Sequence, residues 1–521
     1  MLAAIGHLGR LARAGFVMAR EGVFSAIDPQ LVPLEARLPL ALAKLVARRD
    51  VRTGVTRLAP AMQRLGPSYI KLGQFLATRP DVVGAAAVQA LESLQDRVTP
   101  FPREVAIRIV ERSLGAPVDK LFMSFSEPVA AASIAQVHRA RIRGEAGERD
   151  VAVKVLRPNV EKLFRRDLSD MYFAARLAEA WVPDARRLKP VEVMDTLARS
   201  VTMEMDFRLE AAAASEFAEN TAADPDFRVP QIDWGHTGKD VLTLEWVSGT
   251  SLADLPTLGA RGLDLPALGA VVIQSFLRHA MRDGFFHADM HQGNLLVDAE
   301  GKLVAVDFGI MGRLDPKERR FLAEILYGFI KRDYRRVAEV HFQAGYVPGI
   351  HRVEDFAQAI RAIGEPIHSR TADEISMARL LTLLFEITAL FDMHTRIELV
   401  MLQKTMVVVE GVARKLDPRL DMWRTSEPVV REWIEQNLGP AGKVGDAGEG
   451  LMRLLRTSLA LPDLLARGEK IVSHLETAAE QGVALSGGSL ERLAKVQARR
   501  FRLMTAGIWL VGIALLLHVV L

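Results

Sequence analysis

The stretch FFHADMHQGNLLVDAEGKLVAVDFG, residues 285–309, decides how the chain is read. It carries His287, Asp289 two residues on, Asn294 five further, and Asp307-Phe308-Gly309 starting thirteen beyond Asn294. The runs NLLVD and KLVAVDFG between these groups read as two short strands. Phosphoryl transfer needs a carboxylate to position or deprotonate the attacking hydroxyl, and oxygen ligands for Mg²⁺ bridging the phosphates. Asp289 suits the first role; Asn294 and Asp307 suit the second, held on one rigid hairpin beside the phosphates. Each residue alone would be a surface aspartate or a turn asparagine. Their fixed spacing carries the assignment.

Working outward, VAVKV (151–155) closes a strand-like run with Lys154 flanked by valines. A lone strand lysine points to solvent in most proteins; beside the downstream motif, Lys154 becomes the cation that pairs the α/β-phosphates. Its carboxylate partner is expected on the next helix, where VTMEMDFRLEAAAASEF offers Glu204, Asp206 and Glu210. Glu204 and Glu210 are about 240° apart on a continuous helix, so both cannot face one point. Glu210 is the expected partner of Lys154, with Glu204 and Asp206 left for another contact.

Ahead of the lysine, a phosphate-cradling loop would normally be glycine-rich. EPVAAASIAQVHRA instead has Ala130, Ala131, Ala132 and Ala135 in those places. Backbone N–H groups still cradle phosphates there, but each Cβ restricts φ and close approach, so a different nucleotide pose is expected. PSYIKLGQFLATRPD (67–81) contains Lys71-x-Gly73-Gln74. A mid-helix glycine costs about 1 kcal/mol against alanine, so something must approach closely at Gly73. The plain reading is helix packing around Gly73, with Lys71 and Gln74 in solvent.

The 521 residues are 49% hydrophobic, 25% charged and 6% aromatic, values of a globular chain with room for one large core or two ordinary ones. A net charge of +3 gives no case for nucleic acid. The absence of cysteine excludes disulfides, thiolate metal sites and cysteine nucleophiles. Arg10, Arg13 and Arg20 interrupt the first apolar runs, so the N-terminus reads as a surface helix rather than a secretory signal. Leu503–Leu521 has no Asp, Glu, Lys or Arg over 19 residues and follows Arg499, Arg500 and Arg502. At about 1.5 Å per residue it matches a bilayer core, with everything before it cytoplasmic. Residues 1–115 read as helices broken near Pro60, Pro67, Pro80 and Pro100–Pro102. IAQVHRARI and DVAVKVL read as a hairpin around GEAGERD, and VLTLEWV (241–247) as a strand. The chain after 313 is helical to about 437, followed by a Gly-rich linker (437–450) and basic amphipathic helices. LMRLLRTSLALPDLLA (451–466) is interfacial at most.

Together these motifs resemble the UbiB family of atypical protein-kinase-like proteins, over about residues 20–420. The resemblance implies an α+β, two-lobed kinase-like fold. A helical extension (1–115) is followed by an N-lobe (116–250) and a C-lobe (251–436), then linker and basic helices (437–502) and a transmembrane helix (503–521). It implies that Lys71, Gly73 and Gln74 form a KxGQ element over the nucleotide, met by the ExD pair Glu204 and Asp206. It implies ATP or ADP with Mg²⁺ as ligands, contacted by Val129, Ala130, Ala131, Ala132, Ser133, Ile134, Ala135, Gln136, Val137, Lys154, Glu210 and Glu245. Asp289 would be the proton acceptor, with Asn294 and Asp307 on the metal.

Family members serve ubiquinone biosynthesis at the bacterial inner membrane. The implied partners are therefore the bilayer, lipid-soluble quinone precursors and other enzymes of that synthesis. Ala288 stands where conventional kinases place an arginine that reads activation-loop phosphate, and IMGRLDPKERRF reads as turning directly into a helix. A peptide-docking platform is not evident, which favours an ATPase or small-molecule kinase. The competing readings are a protein kinase acting on a quinone hydroxylase and a nucleotide-gated scaffold without turnover.

Overall fold

The computed structural model describes residues 2–26, 34–48, 54–77, 83, 85–91, 94, 99–144, 147–181, 189–367, 386–387, 390–393 and 397–438. The chain divides into two units, Arg13–Trp433 and a second made of Met1–Ala12 with Ile434–Leu521. In the second, the described residues are helical, being the start of α1 (Leu2–Arg20) and the last turn of the helix Met422–Leu438. Asn437 and Leu438 thus still belong to a helix and not to the expected linker. The remainder of that linker, the basic helices to 502 and the span at 503–521 lie outside the described residues. Among the described residues, no helix is long and apolar enough to cross a membrane.

In the large unit, the N-terminal helices include α2 (Leu34–Val46), α3 (Leu58–Leu65), α4 (Pro67–Ala77) and α5 (Ala85–Leu91). Pro67 opens α4, as its fixed φ favours. Pro60 does not break a helix: it lies in the first turn of α3, where a missing N–H forfeits no helical bond. Pro39 lies inside α2. Helix α6 (Arg103–Leu114) starts after Pro102 and stops at Gly115, whose φ of 74° is the left-handed turn-off that glycine takes without strain.

After the short helix α7 (Val118–Leu121), a four-stranded antiparallel sheet follows, in the order β1-β2-β3-β5, from Ser124–Ala131, Ala135–Gly144, Gly147–Leu156 and Val241–Glu245. Strand β1 was not legible as a strand, because its eight residues include Pro128 and no alternating apolar face. The β2–β3 turn is tighter than expected: Gly144 pairs with Gly147, so most of GEAGERD belongs to the ladder. In β3, Val151, Val153 and Val155 are buried against Ile109, Val110 and Ile142. Period-2 alternation therefore sends Lys154 to the opposite face.

Helices α8 (Val160–Trp181), α9 (Pro190–Glu204) and α10 (Phe207–Asn220) close that face. Their core, around Phe164, Leu197, Val201 and Phe207, also receives Tyr69, Leu72, Phe75 and Leu76 of α4. The acidic segment is not one helix: it breaks at Met205, and Asp206 accepts from the Arg208 N–H to cap α10.

Beyond, a second sheet takes the order β4-β9-β8-β6, with β4 (Phe227–Arg228) parallel to β9 (Leu303–Ala305) and β8 (Leu295–Val297) between β9 and β6 (Thr250–Ser251). Strand β7 (Phe285–His287) pairs with β10 (Met311–Arg313). The chain after Gly309 thus makes a strand before helix Pro316–Lys331, which a capping box of Asp315 and Glu318 starts. Helices Leu265–Arg278 and Ile397–Leu416 pack beneath.

Candidate active site

Lys154 donates to both oxygens of Glu210, at 2.7 and 3.0 Å, and to Asp307 Oδ1 at 3.3 Å. Its ammonium also lies over the Phe207 ring. Burial would pull the Lys154 ammonium down, but Asp307 and Glu210 outweigh it and hold the group above its ordinary range. Burial pushes Glu210 up to about 6, with the Asp307 charge adding and Lys154 opposing. Burial acts upward on Asp307 too, yet Lys154, the Gly309 N–H and Lys71 together hold it below the usual carboxylate range. Asp307 therefore stays ionised, as a cation ligand must.

The turn around Asp289 is fixed from below. His287 is buried, donates through Nε2 to the Asp307 carbonyl and accepts the Asp289 N–H at Nδ1, 3.0 Å away. Burial lowers its pKa, so the ring is the neutral Nε2–H tautomer this bonding requires. Asn294 Nδ2 donates to the Asp289 carbonyl at 3.1 Å, and Thr405 Oγ1 donates to the Ala288 carbonyl at 2.9 Å. Phe308 packs on Phe217 and His287, and its N–H reaches Glu210 Oε1 at 3.4 Å. Half-exposed His291, not singled out from the sequence, points Nε2 at Asp289 Oδ2 across 3.8 Å and accepts the Gly293 N–H at Nδ1. Its only sequence signal was a second histidine two residues past Asp289.

The KxGQ element divides between two readings. Gly73 is a packing glycine: an added Cβ would meet Leu94 Cδ1 at 2.4 Å and Met62 Sδ at 2.5 Å. Lys71, however, is not in solvent. It is buried, pairs with Glu204 Oε2 at 2.6 Å and acts on Asp307 through its charge. Gln74 lies in the same helix, α4. Asp206 does not join Glu204, because its carboxylate is engaged by Arg208.

The alanine-rich string is a strand–turn–strand. Val129, Ala130 and Ala131 end β1; Ala132, Ser133 and Ile134 form the turn; Ala135, Gln136 and Val137 begin β2. The Ala132 N–H closes the turn on the Ala135 carbonyl at 2.8 Å. Two of the expected contact residues have side chains engaged within the protein. The Gln136 side chain is buried, where it clasps the N–H and carbonyl of Phe101 at 2.9 and 3.1 Å. The Glu245 carboxylate ties Arg228 at 3.0 and 3.1 Å. Arg157 was missed: it donates to the Ala132 and Thr99 carbonyls at 2.9 and 3.0 Å, holding the turn to the segment before α6.

The donor set fits magnesium, a hard cation that takes one or two protein oxygens and completes its shell with phosphate and water. Asp307 and Asn294 would hold it. Among the described residues, no cluster of three or more His, Asp or Glu side chains builds a full protein cage. When bound, the ion would neutralise phosphate charge.

A strand lysine paired to a helix glutamate, set against an HxDxxxxN turn and an Asp-Phe-Gly segment, defines a protein-kinase-like fold and site. The ABC1 atypical kinase-like domain matches residues 93–341, and the UbiB helical domain matches residues 360–421. The chain is 41% identical over 466 residues to the "Probable protein kinase UbiB" of Marinobacter nauticus, covering 88% of this chain and 84% of that protein. It belongs to the UbiB family. A solved structure, described as the complex of Rv3197 with erythromycin from Mycobacterium tuberculosis, matches with a TM-score of 0.52 at 26% identity. That match covers 70% of this chain and 93% of the other.

Proposed function

We propose that the protein binds ATP with Mg²⁺ and uses it for hydrolysis or for phosphorylation of a small or lipid acceptor in support of ubiquinone biosynthesis at the inner membrane. The observation that carries this reading is Lys154 held between Glu210 and Asp307, 2.7 and 3.3 Å away. That is the cation and carboxylate arrangement a bound triphosphate requires. Asp289 is the proton acceptor, Lys154 orients the phosphates, and Asp307 with Asn294 holds the metal. Family membership supports the pathway. The buried Lys71–Glu204 pair, whose charge reaches Asp307, favours a small acceptor over a protein segment entering the same space.

The test is phosphate release by the purified full-length chain, with and without anionic liposomes and a phenolic quinone precursor. Turnover that requires Mg²⁺ and disappears in Asp307→Asn supports the reading. If Asp307→Asn keeps an undiminished thermal shift with MgATP, Asp307 is not in the site and the reading fails.

A further inference from the structure

His291 stands two residues past Asp289, and its ring is set by Gly293. The Gly293 N–H donates to Nδ1 at 3.0 Å, and a Cβ at 293 would crowd Cε1 and Nδ1 at 3.0 and 3.1 Å. Glycine there both binds the imidazole and leaves it room. The backbone adds to the hold. The His291 N–H donates to the Asp289 carbonyl and the His291 carbonyl accepts the Asn294 N–H, each at 2.9 Å. Because Nδ1 accepts, Nε2 carries the hydrogen, and the ring presents a neutral N–H donor.

That donor faces Asp289 Oδ2 across 3.8 Å, with the two side chains 50% and 30% exposed. The separation is too long for a direct hydrogen bond and short enough for one oxygen to bond to both. Bonds of about 2.8 Å from such an oxygen would meet at roughly 85°, reachable without bending either hydrogen bond below about 120°. Among the described residues, neither His291 Nε2 nor the Asp289 carboxylate makes a direct hydrogen bond.

We propose that His291 is a second catalytic contact to the acceptor, its Nε2–H donating to the acceptor oxygen while Asp289 takes that oxygen's proton. The pair thereby selects a hydroxyl, that of water, an alcohol or a phenol. A hydroxyl oxygen has one hydrogen for Asp289 and two lone pairs, one for Nε2–H and one for the γ-phosphorus. A neutral amine has a single lone pair and cannot serve both. In the step itself, the acceptor oxygen bonds to the γ-phosphorus as the bond from that phosphorus to the β–γ bridging oxygen breaks. The electron pair of the broken bond leaves with ADP, and the hydroxyl proton passes to Asp289. His291 neither gains nor loses a proton; it fixes which lone pair points at phosphorus. This role rests on the reading of the site as one that transfers the γ-phosphoryl group of ATP.

The test compares three full-length proteins at saturating MgATP: wild type, His291→Phe, which keeps a planar ring without a donor, and His291→Gln, whose amide N–H reaches near the Nε2 position. Water, propanol and phenol are offered as acceptors, and phosphorus NMR separates inorganic phosphate, propyl phosphate and phenyl phosphate. His291→Phe should lower turnover about tenfold, the effect of one lost donor, with the KM for ATP and the MgATP thermal shift unchanged. His291→Gln should recover part of that loss. The product identifies which hydroxyl bridges the pair, and any of the three supports the role when it falls in His291→Phe and recovers in His291→Gln. Full turnover in His291→Phe, or a loss carried by the KM for ATP, overturns the role of His291 and leaves the ATP reading standing. Turnover of none of the three acceptors by wild type overturns the role as well. A MgATP thermal shift that survives Asp307→Asn overturns the ATP reading itself, and this role with it.

Discussion

Gly312→Ala couples a steric fact to the chemistry a few residues away. Gly312 pairs with Phe286 across β7 and β10. A Cβ at 312 would meet ring atoms of Phe286 at 2.2, 2.6 and 2.7 Å. The ring is fully buried and packs edge-on against Phe276, so it cannot swing aside as a flexible side chain would. Restoring contact to about 3.5 Å requires the strands to part by about 1 Å, and overpacking of this kind costs about 1–3 kcal/mol. Glycine to alanine at an unstrained position would otherwise stabilise by about 0.4–1 kcal/mol through the unfolded chain. The net expectation is a loss of about 1–2 kcal/mol, which in a unit of this size (Arg13–Trp433) is a drop in melting temperature of roughly 1–2 °C. The displacement falls on β7, whose last residue, His287, holds the Asp289 N–H and the Asp307 carbonyl. A 1 Å misplacement of catalytic groups can lower turnover about a hundredfold. Scanning fluorimetry and phosphate release, measured on one preparation, check both numbers. A melting temperature that is unchanged or raised, with full turnover, would refute the reasoning from strand packing to site geometry.

Lys71→Ala leaves Glu204 without its 2.6 Å partner and opens space near Asp307. Radiolabel from γ-labelled ATP should then appear on the protein itself, and its absence would count against Lys71 as the group that excludes protein acceptors. Ala130→Gly, opposite Val137 in the β1–β2 ladder, should change the ratio of ATP to ADP affinity by letting the backbone approach phosphate more closely. Equal affinities before and after, by titration calorimetry, would place the turn away from the phosphates. Asp224 accepts from buried His279 and from Arg282, which hold its carboxyl well below the ordinary 3.8 despite burial. Its folded value is depressed, so its stabilisation is present above pH 3.8 and lost as pH falls through the folded value. The gap in melting temperature between wild type and Asp224→Asn should therefore be wide at pH 7 and start to shrink as pH falls below about 3.8; a constant gap would show that the charge is not responsible.

The phosphate-side chemistry was legible because it depends on spacing along a short piece of chain. His287, Asp289, Asn294 and Asp307 come together through one hairpin, and Lys154 through alternation in one strand. Glu210 was reached from a helix that does not exist as assumed. The argument that Glu204 and Glu210 cannot share a face holds for a continuous helix, whereas the break at Met205 puts them on separate helices. Each nonetheless meets its own lysine. What could not be read depends on partners far away in sequence. Gln136 turns inward because Phe101, 35 residues earlier, offers both backbone groups. Asp206 is claimed by the helix it starts. Strand β4 is two residues long and gains its neighbour, β9, from a segment more than seventy residues on. Such short parallel pairings leave no periodic trace.

The grip of Arg157 and Gln136 on Thr99 and Phe101 gives the molecule a strut. Pro100 and Pro102 fix φ on either side of Phe101, so this piece of chain bends little. One end carries on toward the helices that bring Lys71, and the other enters α6 behind the sheet. A flexible tether would absorb displacement; a stiff one passes it on. Drawing the Ala132–Ile134 turn down onto a ligand must therefore pull on Thr99–Pro102 and on the start of α6. By reciprocity, how firmly α6 is held behind the sheet sets how readily the turn closes.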